Sequence, residues 1–158
     1  MKSASTVASN IGKGIVAGFV GTAAMTVSST IEARLRGRAP SSAPARATAK
    51  VLGIREFEDE IAEARFNDIS HWGYGTSWGV VRGLLDALGL SPRAATAAHG
   101  AAIYGAAQVT LPALEVAPPS VFWGKEEVAI DAFHHLVYTV ATGAAYGALS
   151  RNGAGSAA

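Results

Sequence analysis

The sequence predicts an all-α protein: an integral membrane four-helix bundle made of two tandem helical hairpins, with an amphipathic interfacial helix in the first loop. Three observations predict it. Three stretches of about 18 or more residues are nearly free of Asp, Glu, Lys and Arg, the length a helix needs to cross a bilayer. Charged residues are 16% of the 158, against about 25% in an ordinary soluble domain, and Gly fills 18 positions; this composition suits helices packed closely in lipid. Finally, Glu63, Asn67, His71, Tyr74 and Gly79 recur as Glu127, Asp131, His135, Tyr138 and Gly143 at a constant offset of 64, which marks an internal repeat. The competing fold is a soluble, Ala-rich helical bundle, to which the mean hydropathy of only +0.25 and the charged second helix correspond; the three apolar runs weigh against it.

The elements follow in order. The first span, about 11–32, is uncharged from Gly14 to Ile31 and places Gly14, Gly18 and Gly21 along one helical face. A signal peptide is the other reading of this segment, but the run continues to Ile31 with no A-x-A exit before Glu32, so it is read as a retained span. Arg34, Arg36, Arg38, Pro40 and Pro44 then open a loop over 33–68. Within it Val51, Ile54, Phe57, Ile61 and Ala64 recur at helical spacing among Glu56, Glu58, Asp59, Glu60 and Glu63, which predicts the amphipathic helix.

The second span, about 69–90, is interrupted by Arg82 and Asp86, read as an intramembrane pair facing the bundle interior, since unpaired charge in lipid is costly. Ser91, Pro92 and Arg93 make a turn. The third span, about 94–116, carries His99 and Gln108, with a kink expected at Pro112. The fourth, about 126–149, leads to a flexible tail over 151–158. The first and third helices align more loosely than the second and fourth, Gly21, Ala23 and Thr26 lying opposite Gly105, Ala107 and Thr110 at an offset of 84. Counting Lys and Arg puts the loops 33–68 and 117–125 in the cytoplasm and both termini outside, in a multi-pass protein of a bacterial inner membrane.

Composition excludes several functions. A net charge of +1 offers no concentrated basic face for nucleic acid. With no Cys, the chain has no disulfide, thiolate metal site or cysteine nucleophile. Gly12-Lys13-Gly14 lacks the spacing of a phosphate loop, and no G-x-S-x-G or H-E-x-x-H occurs.

What remains is a polar cluster at one membrane face. Glu32, Asp68-x-x-His71, Glu115 and Asp131-x-x-His134 imitate the carboxylate and Glu-x-x-His order of di-iron bundles, with His135 adjacent; this makes them candidate ligands for iron or manganese. The pattern departs from that class in using Asp and in lying at helix ends. Haem held between His71 and His135 is a second possibility, and a proton or solute relay through the same groups a third. A structural role competes with all of these. In it Glu63, Asn67, Tyr74, Glu127 and Tyr138 form a polar cluster, first-turn acids favour the helix dipole, aromatic residues sit at the interface, and His71 and His135 bond across the two hairpins.

His71-Trp-Gly-Tyr-Gly-Thr-Ser-Trp-Gly79 and the segment from Asp131 to Gly147 resemble small bacterial inner-membrane proteins of the YagU-like group, whose function is unknown. The resemblance covers the four apolar segments and omits the loop 39–68. It implies a multi-helix inner-membrane protein and carries over no catalytic residue. The expectation is a non-enzymatic scaffold or accessory subunit, in contact with the lipid bilayer and with a homo-oligomer or larger complex, with a metal- or haem-dependent redox protein and a small-solute or proton transporter as the alternatives.

Overall fold

Helix starts and stops follow from capping chemistry. The computed structural model describes residues 3–155, and among them five α-helices and no strands form: α1 (Ala4–Leu35), α2 (Ala43–Leu52), α3 (Glu60–Ala87), α4 (Pro92–Ala113) and α5 (Lys125–Gly155), with a 3-10 turn at Ser120–Phe122. Ser3, Asp59 and Ser91 start α1, α3 and α4, their side-chain oxygens accepting from the N–H groups of Thr6, Ala62 and Ala94.

The first three helices end alike. Gly37, Gly53 and Gly89 take left-handed conformations (φ 63, 71 and 87°), and each end closes with paired backbone bonds, for example Gly53 N–H to Lys50 O and Ile54 N–H to Ala49 O. At the end of α4 the same pattern joins Glu115 N–H to Pro112 O and Val116 N–H to Leu111 O. Here Glu115, at φ 54°, occupies the position that glycine fills elsewhere.

This punctuation corrects two expectations. The amphipathic helix expected from Val51 to Ala64 does not form as one element: Gly53 ends α2, residues 54–57 are irregular, and Asp59 caps α3, which then runs unbroken from Glu60 through the expected second span. The apolar period was real but crossed a stop and a start. The tail expected at 151–158 is helical through Gly155, so α5 is longer than foreseen; residues 156–158 lie outside the described part.

The long helices pack side against side: α1 on α3 and α5, and α4 on the same two helices from elsewhere around the ring, while the short α2 lies against α3 and α4. Glycine decides the tightest approach. A Cβ on Gly14 or Gly79 would run into the backbone of the other residue, and one on Gly18 would stand 2.7 Å from the Thr76 carbonyl oxygen. Gly100 meets Thr139 and Gly143 meets Thr96 where α4 crosses α5. At the far end Arg36 ties α1 to α5 through Glu127 (2.6 Å), with Glu126 at 3.6 Å. Those bonds, to Glu127 first and Glu32 second, hold the Arg36 guanidinium above its ordinary pKa.

Burial runs opposite to that of a water-soluble core. The largest fully buried side chains are Arg82, Tyr138, Tyr146, His99, Thr22 and Thr142, and the buried aliphatic residues are mostly alanines. Phe19, Val27, Ile31, Phe133, Leu136 and Val140 face outward, each more than half exposed. Among the described residues one helix, α1, is long and apolar enough by itself to cross a membrane.

Candidate functional site

A cavity of about 1000 Å³ lies between the long helices, with α2 closing one side through Ala47, Thr48, Val51 and Leu52. Much of its polar lining comes from the cluster singled out in the sequence, Asn67, Asp68, His71 and Tyr74 from α3 and Glu127, Asp131, His134, His135 and Tyr138 from α5, and more comes from hydroxyls of α1, such as Thr22 and Thr26, and from Arg38. Trp72 and Trp123 complete an aromatic wall. Helical spacing explains the gathering, because residues three and four apart share a face and the glycines fix the rotation of α3 against α1.

Hydroxyl bookkeeping assigns the histidine tautomers. The Thr26 hydroxyl donates its one proton to the Thr22 carbonyl (2.7 Å), so in its 2.8 Å bond to His71 it must accept, and Nε2 of His71 carries a proton. Ser28 likewise donates to the Met25 carbonyl (3.0 Å) and therefore accepts from Nδ1 of His134 (2.9 Å). Nδ1 of His135 donates to the Asp131 carbonyl (2.9 Å), and the ring packs edge-on against Tyr104. In the neutral imidazoles the other nitrogens, Nδ1 of His71 and Nε2 of His134 and His135, are acceptors. Nε2 of His134 has no hydrogen-bond partner although the residue is only 5% exposed, and Glu32 stands 3.6 Å away.

The remaining candidates fall elsewhere. Glu32 is engaged by Arg36 (3.3 Å) and by Arg38 at closer range. Glu115 sits in the turn after α4, where Lys50 reaches it at 3.4 Å, and Glu63 is exposed and outside the cavity. Asp131 pairs with His135 (3.4 Å), one residue beyond the expected D-x-x-H partner His134, and Gln108 approaches its other oxygen at 3.4 Å. No group of three or more His, Asp or Glu residues among those described is spaced to hold a metal ion. For haem, His71 and His135 share the cavity, but Nε2 of His71 points its proton at Thr26. Neither histidine bonds across the hairpins. The bonds that cross them come from Tyr138, whose hydroxyl donates to the Gly75 carbonyl (2.7 Å), from His99, whose Nε2 donates to the Trp78 carbonyl (3.0 Å), and from the His134–Ser28 and Arg36–Glu127 pairs.

Away from the cavity the polar interior continues. His99 packs at a tilt against Tyr138, ring centres 5.6 Å apart, and the Arg82 guanidinium lies 4.1 Å above the Tyr146 ring with Asp86 acting on it electrostatically. Asp86 in turn accepts from the Asn10 amide (2.8 Å). Nε and Nη1 of Arg82 and Nδ1 of His99 have no hydrogen-bond partner among the described residues. A column of polar groups thus runs from the cavity to the N-terminal end of α1.

Sequence reasoning missed Thr26 and Ser28, which set the tautomers, and the part α2 plays in closing the site. A hydroxyl on an apolar helix carries no signal of its partner. Comparison with protein-family models, with curated proteins and with solved structures finds no match for this chain.

Proposed function

We propose that this is a multi-pass membrane protein that binds a small solute in the cavity beneath α2 and passes it, or a proton, along the polar interior. The observation that carries this reading is the inverted burial: charge, imidazole and hydroxyl groups inside, Phe, Val, Ile and Leu outside. In water such an exterior is an aggregation hazard, whereas in lipid it is the stable arrangement, and intramembrane ionisable groups then face an interior pathway. Helices α3, α4 and α5 bury Ser70, Arg82, His99, His134, Thr139 and Thr142, so these stretches need not be apolar all round to sit in a bilayer; the exposed acids Glu60, Glu63, Glu126 and Glu127 lie in the first turns of α3 and α5.

Packing also supports a tandem duplication. Thr22 against Gly75, Gly18 against Gly79, and Thr26 against His71 correspond to Gly100 against Thr139, Thr96 against Gly143, and Tyr104 against His135. The offset is 64 for α3 and α5, as in the sequence, but 78 rather than 84 for α1 and α4. The basic residues around 34–65 assign the α2 side to the cytoplasm of an inner-membrane protein, and the likeness to the YagU-like group accords with this. A scaffold role loses its main argument, since Gly14, Gly18, Gly79 and Gly83 are used within the chain.

The absence of Cys supplies the test. In membrane vesicles, Ala107→Cys, on the cavity wall, should react with a water-soluble maleimide, and Val27→Cys, on the outer face, only with a lipid-soluble one. Labelling of Val27→Cys by the water-soluble reagent overturns the membrane reading; an inert Ala107→Cys overturns the solute-accessible cavity.

A further inference from the structure

We infer that the cavity recognises an organic ammonium ion, an amine carrying an apolar body, with Asp131 as its counter-charge. The inference rests on the solute-binding reading above and names the ligand class for that site.

Several donors at the cavity wall are spent on the protein itself, while the Tyr74 hydroxyl, the Trp72 indole and the Asn67 amide remain open to a ligand. Tyr138 donates to the Gly75 carbonyl, Trp123 to the Pro118 carbonyl, and Thr22, Thr26 and Thr48 to carbonyls of their own helices. Each of the three histidines has committed its ring N–H to Thr26, Ser28 or Asp131. What they leave toward a ligand are lone pairs. The two lining atoms that are buried without a partner are both acceptors: Nε2 of His134, in a residue 5% exposed, and Oδ1 of Asn67. A ligand that satisfies these two atoms must bring donors.

Charge points the same way. Arg38 is the one Lys or Arg in the lining, and Glu32 holds it through both carboxylate oxygens. Of the lining carboxylates, Glu127 is matched by Arg36, whereas Asp68 and Asp131 have no Lys or Arg within ion-pair distance among the described residues. Trp72, Tyr74 and Trp123 add aromatic rings to the lining, and such rings attract a cation where it lies over the face. A volume of about 1000 Å³ admits a drug-sized body beside the ammonium group.

The test compares three shape-matched probes on the full chain in detergent by calorimetry at neutral pH: 3-phenylpropylammonium, 3-phenylpropan-1-ol and 3-phenylpropanoate. The ammonium should bind about tenfold or more tighter than the alcohol, as one charge-assisted hydrogen bond implies. Asp131→Asn should remove that advantage while leaving alcohol binding unchanged, and Glu115→Gln, outside the cavity, should bind all three like the parent. Thermal unfolding of Asp131→Asn establishes that the variant is folded; should it not be, Asp131→Ser takes its place, with the same loss of preference expected, while Asp68→Asn should keep the preference. Alcohol or carboxylate binding as tightly as the ammonium overturns the ligand class and leaves a solute-binding cavity standing. Failure of all three to bind overturns both.

Discussion

Gly79 and Glu115 show how much a single position decides. At Gly79 the neighbour is backbone, which cannot move aside as a side-chain tip can. Gly79→Ala should therefore lower stability by about 1–3 kcal/mol, the usual cost of overpacking, in denaturant unfolding in detergent. Gly73 lies on the same helix with nothing within 4 Å of its missing Cβ, so Gly73→Ala should stabilise by up to about 1 kcal/mol through helix propensity alone. Glu115 presents the opposite case, a side chain where the backbone asks for none. Glu115→Gly should stabilise the end of α4 by about 1 kcal/mol, read in the same experiment, because the left-handed conformation costs a non-glycine residue about that much. The glycines on α1 were legible as a helical face in the sequence. That Glu115 belongs to a turn rather than to a ligand set was not, since αL conformation at a glutamate leaves no mark in composition.

Among the elements, α2 has the least to hold it. Ten residues long, it rests on α3 and α4 and is flanked by Gly37 and Gly53, both left-handed. Gly53→Ala should cost about 1 kcal/mol at this junction. Hydrogen exchange should then speed up over residues 43–52 and stay unchanged in α1 and α3; acceleration throughout the chain would show instead that α2 is integral to the packing of the long helices. The sequence reading found an amphipathic segment here but ran it from Val51 to Ala64, across the end of α2 and into α3. Periodicity reports that an apolar face exists, while caps decide where the helix stops, and Gly53 and Asp59 outweighed the pattern that ran through them.

For the molecule as a whole the question is which solvent its outer face meets. Val20, near the middle of α1, is 42% exposed. In water Val20→Lys would be close to neutral; at the centre of a bilayer a lysine costs about 2.5–3.5 kcal/mol of insertion free energy. The expected outcome is loss of Val20→Lys from the alkali-washed membrane fraction, with Lys13→Ala, near the end of the same helix, retained. Retention of both at parent levels would place that face against protein or water.

The sequence by itself determined that the long elements are helices and where most of the breaks between them fall, because Pro-rich turns and charge-free runs act over a few neighbouring residues; the break at Gly53 and Asp59 it missed. It also singled out most of the cavity's polar groups, since helical spacing puts Asn67 with His71 and Tyr74, and Asp131 with His135 and Tyr138, on common faces. Only the tertiary structure decided what those groups do. The closing of Arg38 on Glu32 follows from the turn that ends α1, and the pairing of Asp131 with His135 from their spacing on α5; the tautomers imposed by Thr26 and Ser28, the withdrawal of Glu115 to Lys50 and the seating of α2 over the cavity depend on how far one helix is rotated against another. That rotation is set by backbone contact at Gly14, Gly18, Gly79 and Gly83, an interaction between segments some 65 residues apart that no local pattern encodes.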